Sequence, residues 1–456
     1  VTTMTLPLRH PDVRSSTVMT RRAWWLLIGN LLVPGSAQVL AGNRRLGRLG
    51  LGFTLGLWTA LLVGVILYFV FPTGLYTLAT FDLSMLALQA ALVVYGVVWL
   101  VLTLDTLRLI RLVRARPRMR AVLAFATIAL MAVSVGSTAY GTYLIGITRG
   151  TLSSIFGGGA MEQPIDGRYN IMLLGGDAGE DRDGLRPDSI SVVSIDASTG
   201  AATTIGVSRE FVNIPFPEDS PMHELYPDGY TTDNCAVDVC KLNSIYTEVE
   251  LKHPELYPDA VAEGSEPGIE ATRDAVEGML GLPIQYYALI DMEGFAQLID
   301  SLGGIDVDYQ GTEPLPLGGL PGADGTMQGV NQWIDPGPWH FNGEQALAYA
   351  RSRYTTSDYD RMARQRQVQT ALLEQFEPAN VLSKFQDVAA AGSQVIKTDV
   401  PQGMLGYFVQ LGLKTKAQPV GVVELVPPAV DVDRDPDYDV VRSLVQQGLF
   451  PDAAAQ

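Results

Sequence analysis

Asn342-Gly-Glu-Gln-Ala-Leu-Ala-Tyr-Ala-Arg-Ser-Arg-Tyr354, continued by Ser357-Asp-Tyr-Asp-Arg-Met-Ala-Arg-Gln-Arg-Gln367, gathers Arg351, Arg353, Arg361, Arg364 and Arg366 in an otherwise acidic region. Ala348–Arg353 reads as a short strand, which would point Arg351 and Arg353 to one face. From about Asp358 the spacing turns helical, with Val368, Leu372 and Phe376 as an apolar stripe. Extended backwards, that stripe meets Gln365 and Arg361. Arg351, Arg353, Arg361 and Gln365 are therefore expected at one strand-to-helix junction. Buried guanidinium demands anionic partners, and its planar fork suits phosphate. On this stretch alone a phosphate site, a solvated basic surface and structural Arg–carboxylate pairs all remain open.

Outward from this stretch, charge divides the 456 residues. Residues 1–150 hold 14 arginines, no lysine and three acids (Asp12, Asp82, Asp105), a net charge of +11; the whole chain is −17, so the remainder carries −28. A basic, apolar first third before an acidic remainder suggests a membrane anchor carrying a globular domain. The acidity argues against a nucleic-acid partner, which would require a basic face.

Within 1–147, three apolar runs (about 49–71, 84–104 and 121–147) suffice to span a bilayer. Trp24–Leu40 is broken by Pro34-Gly35 and carries Gln38. It is a fourth span or a re-entrant or interfacial segment, and the break inclines the reading toward a half-span hairpin. Six arginines between Arg108 and Arg120 place that connection in the cytoplasm, so the last span runs outward. The chain is expected to be multi-pass in the cell membrane, with everything after about Thr148 extracytoplasmic. No cleaved signal peptide is expected. Residues 148–166, with Gly157-Gly-Gly159 and Pro164, read as a flexible linker.

The domain from about 167 to 456 opens on Tyr169-Asn-Ile-Met-Leu-Leu-Gly-Gly-Asp177, a buried strand delivering a carboxylate at its end. Ser189–Asp196 and Thr203–Arg209 are further strands. Glu270–Leu280 and Met292–Leu302 read as helices, Gln285–Asp291 and Ile305–Tyr309 as strands. This alternation predicts an α/β domain, a mixed central sheet covered by helices, behind a multi-span helical anchor. Cys235 and Cys240 form an even pair in an extracytoplasmic context and are expected to be disulfide-bonded; the four histidines show no ligand spacing. No nucleophile elbow, zinc motif or P-loop is present. What remains for chemistry is Asp177 and Asp188 with Arg209, Arg351, Arg353 and Arg361, a set suited to a pyrophosphate with Mg²⁺. Taken singly, Asp177 reads equally as a turn cap and Arg209 as an ion-pair partner.

The opening stretch resembles the signature of the LytR–CpsA–Psr family of cell-wall glycopolymer transferases. Asn170-Ile-Met-Leu-Leu-Gly-Gly-Asp177, Arg186-Pro-Asp188, Val207-Ser-Arg-Glu210, Lys241-Leu-Asn-Ser-Ile-Tyr246 and Asp300-Ser-Leu-Gly-Gly-Ile305 resemble further blocks in family order. The resemblance implies Asp177 and Asp188 as Mg²⁺ ligands. It implies Arg209, Arg351, Arg353, Arg361 and Gln365 as the pyrophosphate grip, with Arg209, Arg353, Asp358 and Arg361 in the catalytic centre. It further implies an apolar tunnel for an isoprenoid, and transfer of a phospho-glycopolymer from a polyprenyl diphosphate to peptidoglycan. Two other readings stand beside it: a pyrophosphatase using water as acceptor, and a non-catalytic lipid-binding or regulatory membrane protein. The chain departs from the family pattern at Ser208 and Glu210, where proline and aspartate are usual, and at Ala178-Gly-Glu-Asp, which precedes Arg182. Several spans in place of one are a further departure.

Overall fold

A computed structural model describes residues 8–156, 159–177, 186–321, 327–354, 357–375 and 396–451; the side chains of Thr73, Asp177, Arg186, Glu293, Leu320 and Pro321 also fall outside the description. The chain forms two compact units, residues 1–150 and 151–456.

The first unit is helical: α1 (Ser16–Leu32), α2 (Ser36–Ala41), α3 (Arg44–Val70), α4 (Pro72–Thr80), α5 (Asp82–Ile110) and α6 (Pro117–Ile155). Three helices are long and apolar enough to cross a membrane, those starting at Arg44, Asp82 and Pro117. Trp24–Leu40 forms most of a hairpin. Arg22 donates to the Leu109 carbonyl at 2.6 Å, and a Cβ on Gly42 would meet the same leucine, so the chain leaves and returns at one level of α5. At the tip, Gly35 has φ +100° and abuts the α3 backbone at Gly47, Gly50 and Leu51, where a side chain has no room. The Asn30 amide donates to Thr103 and the Gln38 amide to Thr106 and the Leu102 carbonyl, giving these N–H groups partners that hydrocarbon would deny them. The linker expectation needs correcting. Helix α6 runs on to Ile155, since Thr148–Ile155 contain no proline and the helix carries their single glycine, Gly150, within it; Ala160 and Glu162 then bond to the Tyr286 hydroxyl through their backbone.

The second unit is built on a six-stranded mixed sheet. Its strands are β1 (Arg168–Asp177), β2 (Arg186–Asp196), β3 (Ala202–Val207), β4 (Tyr286–Asp291), β9 (Ile396–Thr398) and β10 (Gly421–Glu424), in the order β10-β3-β2-β1-β4-β9. β1 pairs antiparallel with β2 and parallel with β4. Two small antiparallel pairs flank it: β5 (Ile305–Tyr309) with β8 (Gly337–Phe341), and β6 (Leu315–Pro321) with β7 (Met327–Ile334). The helices are α7 (Pro221–Leu225), α8 (Leu242–Lys252), α9 (Pro267–Leu280), α10 (Met292–Leu302), α11 (Gly343–Arg351), α12 (Asp358–Gln375), α13 (Leu405–Lys416) and α14 (Tyr438–Leu449).

Alternation along the strands sorts two faces. Met172, Leu174, Ile190, Val192 and Ile205 enter a continuous core with Ile245, Val249, Ala275, Val276 and Val441 of α8, α9 and α14. The opposite face carries Leu173, Gly175, Ala288 and Ile290 beneath α10, α11 and α12. A second core forms among β5, β6, β8, α11 and α12, centred on Tyr309, Phe341 and Tyr349. Cys235 and Cys240 are bonded. Their loop is tied down by buried Glu248, which accepts from the Tyr226 and Tyr230 hydroxyls and the Ala236 N–H.

Candidate functional site

Residues 348–353 are not a strand. Asn342 and Gln345 form a reciprocal capping box that starts a helix, α11, which ends at Arg351. The Asn-x-x-Gln signal was present in the sequence, and the alternation Ala-Tyr-Ala-Arg-Ser-Arg concealed it. Arg351 occupies the last turn, where a cation suits the helix dipole, and Arg353 lies just beyond. Both still line the same cavity. Helix α12 begins on a second reciprocal pair, Ser357 and Asp360. Phe376, the expected end of its apolar stripe, lies outside the described residues.

The cavity measures about 400 Å³ and lies between the sheet and helices α10–α12. Arg361, Gln365, Val368 and Leu372 all face it from α12, so its lining passes from cationic to apolar over about 16 Å of helix. On the strands the same gradient runs from Asp188 and Asp291 at the charged end to Leu173 and Ala288 within. Phe295 and Leu347 extend the apolar part. Five of the expected residues in the phosphate grip, Arg209, Arg351, Arg353, Arg361 and Gln365, are thus brought together with Asp188.

Asp188 reaches the cavity through a register shift. Gly175 pairs with Ser189 but Gly176 pairs with Pro187, leaving Asp188 as the extra residue of a bulge. Pro187, which has no N–H, fits this interruption of the ladder. A Cβ on Gly175 would stand 3.1 Å from the Ser189 Cβ, so the close strand approach favours glycine there. Asp177 ends β1 opposite Arg186, beside the parallel partner pair Gly176 and Asp291. Its side chain, and Arg182 with it, lie outside the described residues.

Two ion-pair chains line the charged end. Asp188 pairs with Arg209, which contacts Glu210 at 3.1 Å, and Glu210 also pairs with Lys241. Asp358 sits between Arg353 at 2.6 Å and Arg361 at 3.0 Å. Burial acts to raise the Glu210 carboxyl, but the Lys241 hydrogen bond and the charges of Lys241, Arg209 and Arg353 outweigh it and hold the group below its usual range. Arg361 is 5% exposed. Burial, then the neighbouring Arg209 and Arg353, lower its affinity for the proton, with Asp358 opposing. Its Nε–H has no hydrogen-bond partner among the described residues. Such a buried orphan donor calls for an acceptor.

Arg364 and Arg366 serve the fold. Buried Arg364 donates to the carbonyls of Tyr349 and Ser352, pinning the end of α11 against α12. Arg366 pairs with Glu424 of β10. Residue reasoning overlooked Asp291 and the Glu210–Lys241 link. Asp291 ends a strand just as Asp177 does, so the same rule pointed to it.

The model of the LytR_cpsA_psr family matches residues 151–434. The chain belongs to this family. It is 33% identical over 138 residues to the polyisoprenyl-teichoic acid–peptidoglycan teichoic acid transferase TagV of Bacillus subtilis (strain 168), covering 30% of this chain and 34% of that protein. It is 27% identical over 240 residues to the corresponding transferase TagU of Bacillus mycoides (strain KBAB4), covering 52% and 62%. The chain therefore spans about a third to three-fifths of the length of these relatives. The crystal structure of B. subtilis TagV aligns at 22% identity and TM-score 0.43, covering 63% of this chain and 98% of that one.

Proposed function

We propose that the second unit is a phosphotransferase that moves a glycopolymer from a polyprenyl diphosphate carrier to peptidoglycan. The observation that carries this reading is a single cavity cationic at one end and apolar at the other, with the buried Arg361 Nε–H lacking an acceptor. A lipid diphosphate matches both ends. Leu173, Ala288, Ile290, Phe295 and Leu372 would take the isoprenoid stem, and Arg209, Arg351, Arg353, Arg361 and Gln365 the diphosphate. The names of TagV and TagU, transferases between polyisoprenyl-linked teichoic acid and peptidoglycan, support it.

The reaction asks chiefly for position and charge neutralisation. An acceptor hydroxyl forms a new P–O bond at the sugar-bearing phosphorus as the diphosphate bridge breaks, and its proton ends on the released polyprenyl phosphate or in water. The negative charge that collects on the departing polyprenyl phosphate falls among guanidinium groups already oriented by Asp188, Glu210 and Asp358. Fixed charges of this kind need little reorganisation as the bond breaks. Asp188, turned into the cavity by its bulge, suits Mg²⁺, which needs only one or two carboxylates beside phosphate oxygens; Asp177 would be the second. When bound, the ion would neutralise diphosphate charge. Arginines at 108–120 favour the cytoplasmic side for that connection, which would set the second unit outside the cell, facing the wall.

Full-length protein in detergent, incubated with a polyprenyl-diphosphate oligosaccharide, Mg²⁺ and peptidoglycan fragments, tests this. Mass spectrometry should show sugar phosphate joined to peptidoglycan, lost in Arg353→Ala and Asp188→Ala. Free sugar phosphate as the only product would establish a hydrolase instead. Bound but unconsumed lipid would establish a binding module.

A further inference from the structure

We propose that Trp333 and Tyr354 form a stacking platform for a pyranose ring at the mouth of the diphosphate cavity. Among the described residues of the second unit, Trp333 is the exposed aromatic side chain, 49% accessible. Trp339, six residues on, packs against the smaller core and donates its Nε1–H to the Asp335 carbonyl. Trp333 belongs to neither core. Its ring stands edge-to-face with Tyr354, centroids 5.5 Å apart and planes at 82°. Tyr354 directly follows Arg353, which lines the cavity.

The hairpin that carries Trp333 is fixed to the same helix as Arg351. Gln345 of α11 donates to Gln332 at 2.8 Å, and Asn331 donates to Glu344 at 2.9 Å. An aromatic face thus stands among amide and carboxylate groups, one residue beyond a phosphate-gripping arginine. Pyranose rings present this combination in reverse: a face of C–H bonds rimmed by hydroxyls. Indole and phenol rings offer broad apolar area with a polar tip, and polar groups around an apolar centre supply orientation. A ring joined to a diphosphate, or a wall sugar presenting its hydroxyl to one, must pass this mouth. The identity of that sugar rests on the phosphotransferase reading; the platform itself rests on Trp333 and Tyr354.

The test uses the full chain in detergent with three probes: polyprenyl diphosphate without sugar, the same lipid carrying a disaccharide, and a free N-acetylglucosamine tetramer. Trp333→Ala should leave the Kd for the bare lipid unchanged. It should weaken a sugar-bearing probe about tenfold, the scale of one lost aromatic contact, and Trp333→Phe should recover most of that. An effect on the lipid-linked disaccharide assigns the platform to the donor; one on the free tetramer assigns it to the acceptor. If both sugar probes bind Trp333→Ala as tightly as wild type, or wild type gains nothing from sugar, the proposal is overturned. If no form binds either lipid but the tetramer still binds through Trp333, the phosphotransferase reading fails and the platform stands.

Discussion

Met172 and Leu173 are neighbours in β1, yet they belong to two differently built faces of one sheet. Met172 is fully buried in the core beneath α8, α9 and α14, while Leu173 is half-buried against the cavity beneath α10–α12. The first face is closed by apolar side chains of matched size. The second is held open because its helices are propped by charged pairs and by Arg364 at the α11–α12 junction. One face makes the protein stable, and the other keeps a space for a ligand. The alternation of successive side chains along each strand is enough to make both.

The contrast yields ordered predictions. The largest effect is expected at the charged end of the open face: Arg353→Ala or Arg361→Ala should lower transfer by about 10²–10³-fold, the cost of one lost charge-stabilising donor, while circular dichroism shows an unchanged fold for Arg353→Ala. Next, Met172→Ala should destabilise by about 2–4 kcal/mol in urea unfolding, as a buried truncation leaving a cavity. Its neighbour Leu173→Ala should cost under about 1 kcal/mol, because its side already borders empty space, and should instead weaken binding of a polyprenyl phosphate. Equal losses of stability at the two positions would erase the distinction between the faces.

A smaller effect concerns the closed face, where α9 buries acids. Burial pushes the Glu277 carboxyl up to about 7, although it accepts from the Ile284 N–H. A carboxyl that binds its proton more tightly folded than unfolded contributes stability below its ordinary value of 4.5, and this is lost as pH rises through about 7. Glu277→Gln should keep the hydrogen bond and remove that loss, making the variant more stable than wild type at pH 8 by roughly 1–3 kcal/mol and nearly equal at pH 4. Unfolding curves at the two pH values check it; parallel shifts would place the carboxyl in ordinary solvent. The smallest effect should come from Gly175→Ala, which presses a Cβ on Ser189 across the bulge. About 1 kcal/mol of stability should go, read in urea unfolding; on the proposed reading, in which Asp188 would hold Mg²⁺, transfer would also become less sensitive to added Mg²⁺.

Much of this was legible in the chain. Three long apolar runs, an apolar strand ending in Gly-Gly-Asp177, and the helix of Met292–Leu302 before Gly303-Gly304 follow from local patterning and appear as helices or strands. The error at 348–353 is instructive, because two arginines spaced by one residue mimic a strand while Asn342 and Gln345 cap a helix. Arg351 and Arg353 reach one cavity anyway, since the helix ends between them. The helical stripe already set Arg361 and Gln365 apart from Arg364 and Arg366, and the cavity lining agrees. What it could not give is the partners of the other two: Arg364 donates to the carbonyls of Tyr349 and Ser352, and Arg366 pairs with Glu424, both distant in sequence.

Period and composition, being properties of neighbours along the chain, are enough to settle the apolar helices and the α/β alternation, while the family of the second unit rests on the ordered motif blocks and the match over residues 151–434. Three dimensions decided what depends on distant partners. The register shift between the pairs Gly175–Ser189 and Gly176–Pro187 turns Asp188 inward, Asp358 comes to rest between two guanidinium groups, and Trp333 stands beside the residue after Arg353. Cross-strand register and helix packing set these contacts, and neither has a local signature, because both arise only when separate elements close on one another.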